Sequence, residues 1–406
     1  MDSLLKNWEN VFVQDVIKRI ITGTTPSMQE PKYFENPTVD WFTPSDFDDN
    51  RKILSNSNRK LNSLAFSNGK AKLYSQNSLL LVAIGATIGK IGLLSTEASS
   101  NQQITALEFK ESVNPFYAYY WFKFIKPEII KNSSAATLPI INQNGIKQLP
   151  FLLPPFPEQT RIVNKLDTLF IRIDKSISFL EENINYNQAL KNSIIENTFI
   201  KLFNHSKTFK IKEIAEIKGG KRLPKGETVL DEKTDYPYIR VTDFNDNGTI
   251  DLNNLKYLKK EVQEQIKRYI ITSKDLYISI AGTIGKTGII PKELENANLT
   301  ENAARLVFKP NLKINNRFIY YFTLSNNFKE QVGLATKTVA QPKLALTRLA
   351  EVEIPIPSIE IQDKEVKEFD LISSKTIEIL KQQQSKLTYL KALKASILDK
   401  AFKGEL

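Results

Sequence analysis

Two short phrases carry the residues most suited to chemistry. Residues 80–95 read LLVAIGATIGKIGLLS and residues 276–291 read LYISIAGTIGKTGIIP. Each follows an apolar run with a glycine-rich turn and one lysine, Lys90 or Lys286, the composition of a loop that cradles phosphate. A nucleotide-binding loop of that kind requires Gly, four residues, then Gly-Lys and a Ser or Thr. Ile84 occupies the first glycine position in one copy and Ile280 in the other. Ile91 also follows the lysine in the first copy, although Thr287 does so in the second. ATP binding is therefore rejected. The residues instead predict a strand, a glycine-permitted turn and a second strand, with Lys90 or Lys286 at the hairpin tip beside Thr87 or Thr283. Two readings stay open: a solvated lysine on a tight turn, or a lysine and backbone contact to a DNA phosphate. The repetition favours the second.

Other chemistries are scarce. The 406 residues include no cysteine, which excludes disulfides and thiolate metal sites, and one histidine, His205, which nearly excludes histidine-based zinc sites and His–Asp triads. Asn114-Pro115-Phe116-Tyr117 faintly resembles the Asn-Pro-Pro-Tyr loop of amino-methyltransferases, but it lacks the second proline and no glycine-rich cofactor loop precedes it. Pro115 is better read as a helix start whose aromatics, Tyr119, Trp121 and Phe122, enter a core. His205 is expected just past a helix end, a favourable cation at its negative pole. No carboxylate cluster with a nearby lysine argues for a nuclease. The longest apolar run, Leu79 to Gly89, is too short to span a bilayer, and MDSLLKNWENVF shows no signal-peptide pattern. A cytoplasmic protein is the expectation. The net charge of +11 is compatible with polyanion binding or with a lysine-rich solvated surface. Residues 1–157 carry +3 and residues 204–359 carry +7, while 158–203 and 360–406 are nearly neutral.

The elements that position these residues are written twice. Thr87-Ile88-Gly89-Lys90 returns as Thr283-Ile284-Gly285-Lys286 at an offset of 196, and Ser45-Asp46-Phe47 as Thr242-Asp243-Phe244 at 197. Tyr119-Tyr120 matches Tyr320-Tyr321 at 201, Gln159 matches Gln362 at 203, and Phe199 falls on Phe402, also at 203. The offset only grows, as small loop insertions would make it. Each half opens with about 155 residues of mixed α/β pattern. Its strands are expected at Ser78–Ile84, Asp275–Ile280 and Arg305–Lys309, and its short helices at Pro115–Phe124 and Asn316–Ser325. Each half then closes with a long helix. The first opens at Pro157 and Glu158 and carries an apolar seam at Ile162, Leu166, Leu169, Ile173, Ile177, Leu180, Ile184, Leu190 and Ile194, with a polar gap at Asn187. The second repeats it through Val366, Phe369, Ile372, Ile377, Leu380, Leu387, Leu390, Leu393 and Ile397. Stripes this long need a partner. The helices are expected to pair antiparallel with each other, the alternative being that each folds onto its own block.

At Leu153-Pro154-Pro155-Phe156-Pro157-Glu158-Gln159, followed by Arg161-Ile162-Val163, the chain resembles the specificity subunit of type I restriction–modification enzymes. Ala401-Phe402-Lys403-Gly404-Glu405-Leu406, the doubled Thr-Ile-Gly-Lys turn and Gly23-Thr24-Thr25-Pro26 carry the same resemblance, which covers essentially the whole chain. The second copy departs from the pattern: Ile354-Pro355-Ile356-Pro357-Ser358 lacks the double proline, and Lys221-Arg222-Leu223-Pro224 replaces Thr-Thr-Pro. The resemblance implies a mixed α/β fold. Two similar target recognition domains, residues 1–153 and 204–353, would be separated by helices at 154–203 and 354–406 that pair as an antiparallel intramolecular coiled coil with pseudo-twofold symmetry. It implies that each domain reads half of a split site on double-stranded DNA. It further implies that the chain is non-catalytic and binds no cofactor itself. Two modification (methyltransferase) subunits would dock on the helices near Leu190–Phe203 and Leu393–Leu406, joined by restriction or motor subunits, with S-adenosylmethionine, ATP and Mg carried by those partners.

On this reading the phosphate anchors are Lys90, Lys286, Lys221, Arg222 and Lys225. The base readers are amides, hydroxyls and arginines in divergent loops: Asn101, Gln102, Gln103, Thr25 and Ser45 in the first domain, and Asn302, Arg305 and Arg240 in the second. Each is also an ordinary turn or strand-edge polar residue. Two rivals differ in class: a methyltransferase or nuclease with unrecognised motifs, and a coiled-coil scaffold that never touches DNA.

Overall fold

A computed structural model describes residues 7–49, 51–133, 139–333 and 343–406. The chain divides into two compact units, Met1–Leu180 with Ser385–Leu406, and Glu181–Gln384. The long helices run Phe156–His205 and Ile359–Phe402, and the division between the units falls within each of them. Residues 1–6 of the N-terminal stretch lie outside the described residues. Among those described, no helix is long and apolar enough to cross a membrane.

In unit 1 the strand Leu79–Val82 is apolar and buried throughout, as a sheet covered on both faces requires. It lies in a five-stranded sheet between Ile104–Phe109 and Ile91–Leu94, flanked by Ile17–Thr22 and Ile53–Leu54. Successive side chains point to opposite faces. Leu79 and Leu81 join the core containing the helix Pro115–Phe124 and the long helices, whereas Leu80 and Val82 join a second core with Phe42, Phe47 and Tyr74. That second core supports a small sheet of Lys60–Leu61, Val39–Phe42 and Ser99–Ser100. The three strands expected at 78–84, 275–280 and 305–309 are found at Leu79–Val82, Leu276–Ser279 and Ala303–Phe308.

Unit 2 repeats the plan in the same register. Leu81 faces Thr105 and Ile278 faces Ala304. The parallel pair Trp41 and Ser99 returns as Tyr238 and Asn298. Leu276 and Ile278 enter the helix-side core and Tyr277 the opposite one.

Within each unit the two long helices run antiparallel and both also pack on the sheet-bearing block, so the two alternatives left open by the sequence both hold. In unit 1 Arg161 Nη1 donates to the Leu406 carbonyl at 2.8 Å and Lys394 meets Asp174 at 2.5 Å. In unit 2 Asn187 donates to Gln383 at 3.4 Å and Phe199 stacks on Phe369 at 5.9 Å. Two expected seam residues leave it: Leu190 is 61% exposed and Ile377 48% exposed. Six residues separate Ile184 from Leu190 and five separate Ile372 from Ile377, so each falls more than about 100° off the stripe at 3.6 residues per turn. The expected docking segments are also partly committed inward, because Phe199 and Phe402 are buried in the unit cores.

Each helix is fixed to its block by a duplicated polar set. Gln159 and Gln362 are wholly buried. Gln159 accepts from Asn114 N and donates to the carbonyls of Ser112 and Pro154 at 2.8–2.9 Å. Gln362 does the same with Asn315 N, Lys313 and Pro357 at 2.9–3.2 Å. The phenols of Tyr120 and Tyr321 donate to the helix carboxylates Asp167 and Asp370. Burial, then the carboxylate, pushes both phenols upward, so they remain donors. Lys52 and Arg317 neutralise the same two aspartates at 2.6 Å.

Candidate nucleic-acid interface

The loops on the small-sheet side of each unit rest on one frame, built twice. Gly23 and Gly220 lie where a Cβ would come within 2.2 and 2.0 Å of the backbone carbonyls of Asn101 and Thr300. Only glycine allows the first loop to cross that strand so closely. The ring donors of Trp41 and Tyr238 hold the loop carbonyls of Thr24 and Lys221, each at 3.1 Å. Asp46 accepts from Thr43 N, and Asp243 from Arg240 N, each at 2.7 Å. The carbonyl of Gln103 takes the N–H groups of Ala83 and Ile84, and that of Asn302 those of Ile280 and Ala281, at 2.8 and 3.2 Å in both units.

Lys90 and Lys286 belong to this frame, which corrects their expected place. Val82 and Lys90 pair at the hairpin neck, as do Ser279 and Lys286; the exposed tips carry Thr87 and Thr283. The lysine amines turn inward to the carbonyls of Phe47 and Phe244 at 3.1 and 3.4 Å, and Lys286 also pairs with Asp246 at 2.7 Å. Each lysine thus braces the Asp-Phe turn against the hairpin. Positive φ at Gly89 and Gly285, 84° and 87°, lets the chain make the reversal just before it.

Two more expected readers are structural. Arg305 lies in the central strand Ala303–Phe308, 9% exposed, beside Asp275 at 3.7 Å. Burial lowers its proton affinity, partly offset by Asp275. Asn101 is buried and exchanges hydrogen bonds with Gln103, its Nδ2 donating to Oε1 and its Oδ1 accepting from Gln103 N, each at 3.1 Å. The remaining residues are brought to the loop surface. Thr25 donates to Gln102, and both are exposed. Ser45 is exposed and shares a 2.8 Å hydrogen bond with Thr43. At the equivalent positions of unit 2, Arg222 faces Glu301 at 3.6 Å. Arg222, Lys225, Arg240 and Asn302 line one cleft of about 710 Å³. Arg240 is held by Asp243, Nη2 to Oδ1 at 2.6 Å and Nε to Oδ2 at 3.2 Å, and that hydrogen-bonded pairing raises its pKa. Lys221 sets its amine over the Tyr269 ring at 5.6 Å.

Sequence reasoning missed Asn142, Gln143 and Asn144. With Thr22, Gln102 and Thr105 they line a cleft of about 430 Å³ in unit 1, where Gln143 donates to Thr22 at 2.9 Å. The run Asn-Gln-Asn before Gly145 was the available signal, since Ala345 and Leu346 stand at the first two of these positions in the second copy. Among the described residues no group of three or more histidines and carboxylates is placed to hold a metal.

The close approach at Gly220 gives a direct test of the frame. Gly220→Ala is expected to displace the loop carrying Lys221, Arg222 and Lys225, at a cost of about 1–3 kcal/mol or more. Proteolysis or hydrogen exchange should reveal it as exposure confined to residues 219–227. Unchanged protection there would contradict the assigned contact.

A family model described as "Type I restriction modification DNA specificity domain" matches residues 5–185 and again residues 204–389. The chain is 29% identical over 337 residues to the type I restriction enzyme EcoBI specificity subunit of Escherichia coli, spanning 77% of this chain and 70% of that one. It is 25% identical to the MjaVIII specificity subunit of Methanocaldococcus jannaschii, over 72% and 71%. Among solved structures, a chain from a study of complex assembly and conformational transition of the type I R-M system matches over 100% of both chains, with a TM-score of 0.80 and 18% identity. The HsdS subunit from Thermoanaerobacter tengcongensis matches over 99% and 98%, with a TM-score of 0.53. At these identities the structural likeness concerns the fold.

Proposed function

Because the chain belongs to the type I restriction modification DNA specificity domain family, we propose that it is the non-catalytic subunit that selects the DNA site of a restriction–modification complex. Each unit reads one half of a split site. The observation carrying this reading is the doubled loop frame: the glycine approach, the ring-to-carbonyl bond, the aspartate turn and the lysine brace are held constant, while the exposed side chains on them differ. A shared scaffold with divergent exposed loops suits two readers of different sequences.

Phosphate contact falls to Lys221 and Lys225, with Thr87 and Thr283 on the hairpin tips. Base contact falls to Thr25, Ser45, Gln102, Gln103, Arg222, Arg240 and Asn302. The long helices, which run through both units, set the gap between half-sites and carry the docking surface for two methyltransferase subunits and, through them, the restriction subunits. S-adenosylmethionine, ATP and Mg act on those partners, and the assembly works in the cytoplasm.

The test is binding of duplex DNA by the full chain with its modification subunit, titrated with salt. Log affinity should fall linearly with log salt, and removing one phosphate-contacting cation, as in Lys225→Ala, should reduce the slope by about 0.9. Base-resolution methylation mapping of host DNA should show a two-part motif with unlike halves that vanishes when the chain is deleted. Salt-insensitive binding, or methylation that survives the deletion, would dismiss the reading in favour of a scaffold.

A further inference from the structure

The doubled frame allows position-by-position comparison of the two loop surfaces, and the comparison shows a consistent chemical difference. Thr25 and Gln102 form a neutral hydroxyl–amide pair in unit 1. The same two positions in unit 2 hold Arg222 and Glu301, an ion pair. The first residue of the aspartate turn is Thr43 in unit 1 and Arg240 in unit 2, each donating its N–H to the same aspartate at 2.7 Å. These substitutions occur on matched backbone, so they change what is offered to a ligand rather than where it is offered.

We propose that the two units read different base pairs through this one pair of positions: Gln102 in unit 1 reads adenine, and Arg222 in unit 2 reads guanine. The assignment rests on the split-site function proposed above. An amide that both accepts and donates matches the N6 and N7 edge of adenine, whereas a two-pronged cation matches O6 and N7 of guanine. The geometry leaves those edges free. Gln102 is exposed, and Thr25 occupies one lone pair of its Oε1, leaving Nε2 and the other lone pair. The Arg222 side chain is 85% exposed and its Nε faces Glu301, so its two terminal nitrogens form an open fork. Glu301 also accepts from Thr300 at 3.0 Å, which fixes the carboxylate that orients the arginine.

The experiment is base-resolution methylation mapping in cells expressing the full chain with its modification subunit, for the wild type and for Gln102→Ala, Arg222→Gln and Arg222→Lys. Gln102→Ala should relax one A·T position in one half-site, and Arg222→Gln one G·C position in the other, each by about tenfold to a hundredfold in relative modification. Arg222→Lys retains the charge but lacks the fork, and should relax the same guanine while the site remains modified. Variant halves that keep the wild-type motif overturn the assignment and leave the split-site reading intact. So does a uniform fall in modification at all bases, the mark of a phosphate contact. A wild-type chain that directs no two-part motif overturns both. Arg222→Lys and Arg222→Gln alter an exposed side chain, and a thermal melt matching wild type separates loss of reading from loss of fold.

Discussion

Gln159→Leu is expected to destabilise unit 1 by at least about 3 kcal/mol, since it strands three buried backbone groups at about 1–3 kcal/mol each. The leucine fills the volume but leaves the Asn114 N–H and the carbonyls of Ser112 and Pro154 without their partner. Those groups sit at the start of the aromatic helix and at the turn into the first long helix, so losing the clasp frees the helix from its block. Gln159→Glu retains an acceptor for Asn114 but sets carboxylate oxygen against two carbonyls, and should be no better. Gln362→Leu repeats the loss in unit 2. The two are separable by fluorescence, because Trp8, Trp41 and Trp121 all belong to unit 1. Denaturation followed by tryptophan emission should shift strongly for Gln159→Leu and far less for Gln362→Leu, which circular dichroism would report instead. A Gln159→Leu transition within about 1 kcal/mol of wild type would mean that these backbone groups find other partners, and the clasp would lose its assigned role.

Residues marked by repetition or by a local pattern were legible in the sequence; the distant partners that give a residue its role were not. Gln159 and Gln362 were visible as a match at one offset, because a side chain that must satisfy three fixed backbone groups tolerates no substitute. The aromatic helix was legible from Pro115 and its run of rings, and the strand 79–82 from unbroken apolarity. The two lysines stand out in the sequence, but their bracing role does not. Nothing in Thr-Ile-Gly-Lys says that the carbonyl of Phe47, 43 residues earlier, will lie 3.1 Å from the amine. Arg305 failed for a similar reason. A charged residue beside Asn302 reads as a loop donor, but strand pairing with Lys218 and Tyr277 places it mid-sheet, where Asp275 receives it. Asn142 to Asn144 escaped because their cleft is closed by segments far apart in sequence, Thr22, Gln102 and Thr105. The division of the helices between the units was also hidden, since an apolar stripe states that a helix is covered but not by what.

That division makes the last residues of the chain as important as any core position. Phe402→Ala is expected to cost unit 1 about 3–5 kcal/mol, the range for removing a buried phenylalanine ring. Its ring lies 5.6 Å from Tyr117 and 5.1 Å from both Trp121 and Phe124, edge-on to the first two, an arrangement that adds to simple burial. The residues that follow Phe402 are tied twice more. Gly404 takes φ 72°, letting Glu405 N return to the Lys400 carbonyl at 2.9 Å, and the Leu406 carbonyl accepts from Arg161, itself forked on Glu158. Phe199 occupies the matching place in unit 2, against Phe318 and Phe322 at 5.2 and 5.3 Å. Phe402→Ala should therefore lower the tryptophan-detected midpoint and shift Trp121 emission to the red as water reaches its ring. Phe199→Ala should spare that emission while weakening unit 2 by a similar amount. Phe402→Leu, which keeps most of the volume, should recover much of the loss. Removing residues 399–406 should match or exceed Phe402→Ala and abolish reading of the unit 1 half-site. If the shortened chain melts like wild type, the C-terminal segment is not part of the unit 1 core, and the sharing of each long helix between two readers fails with it.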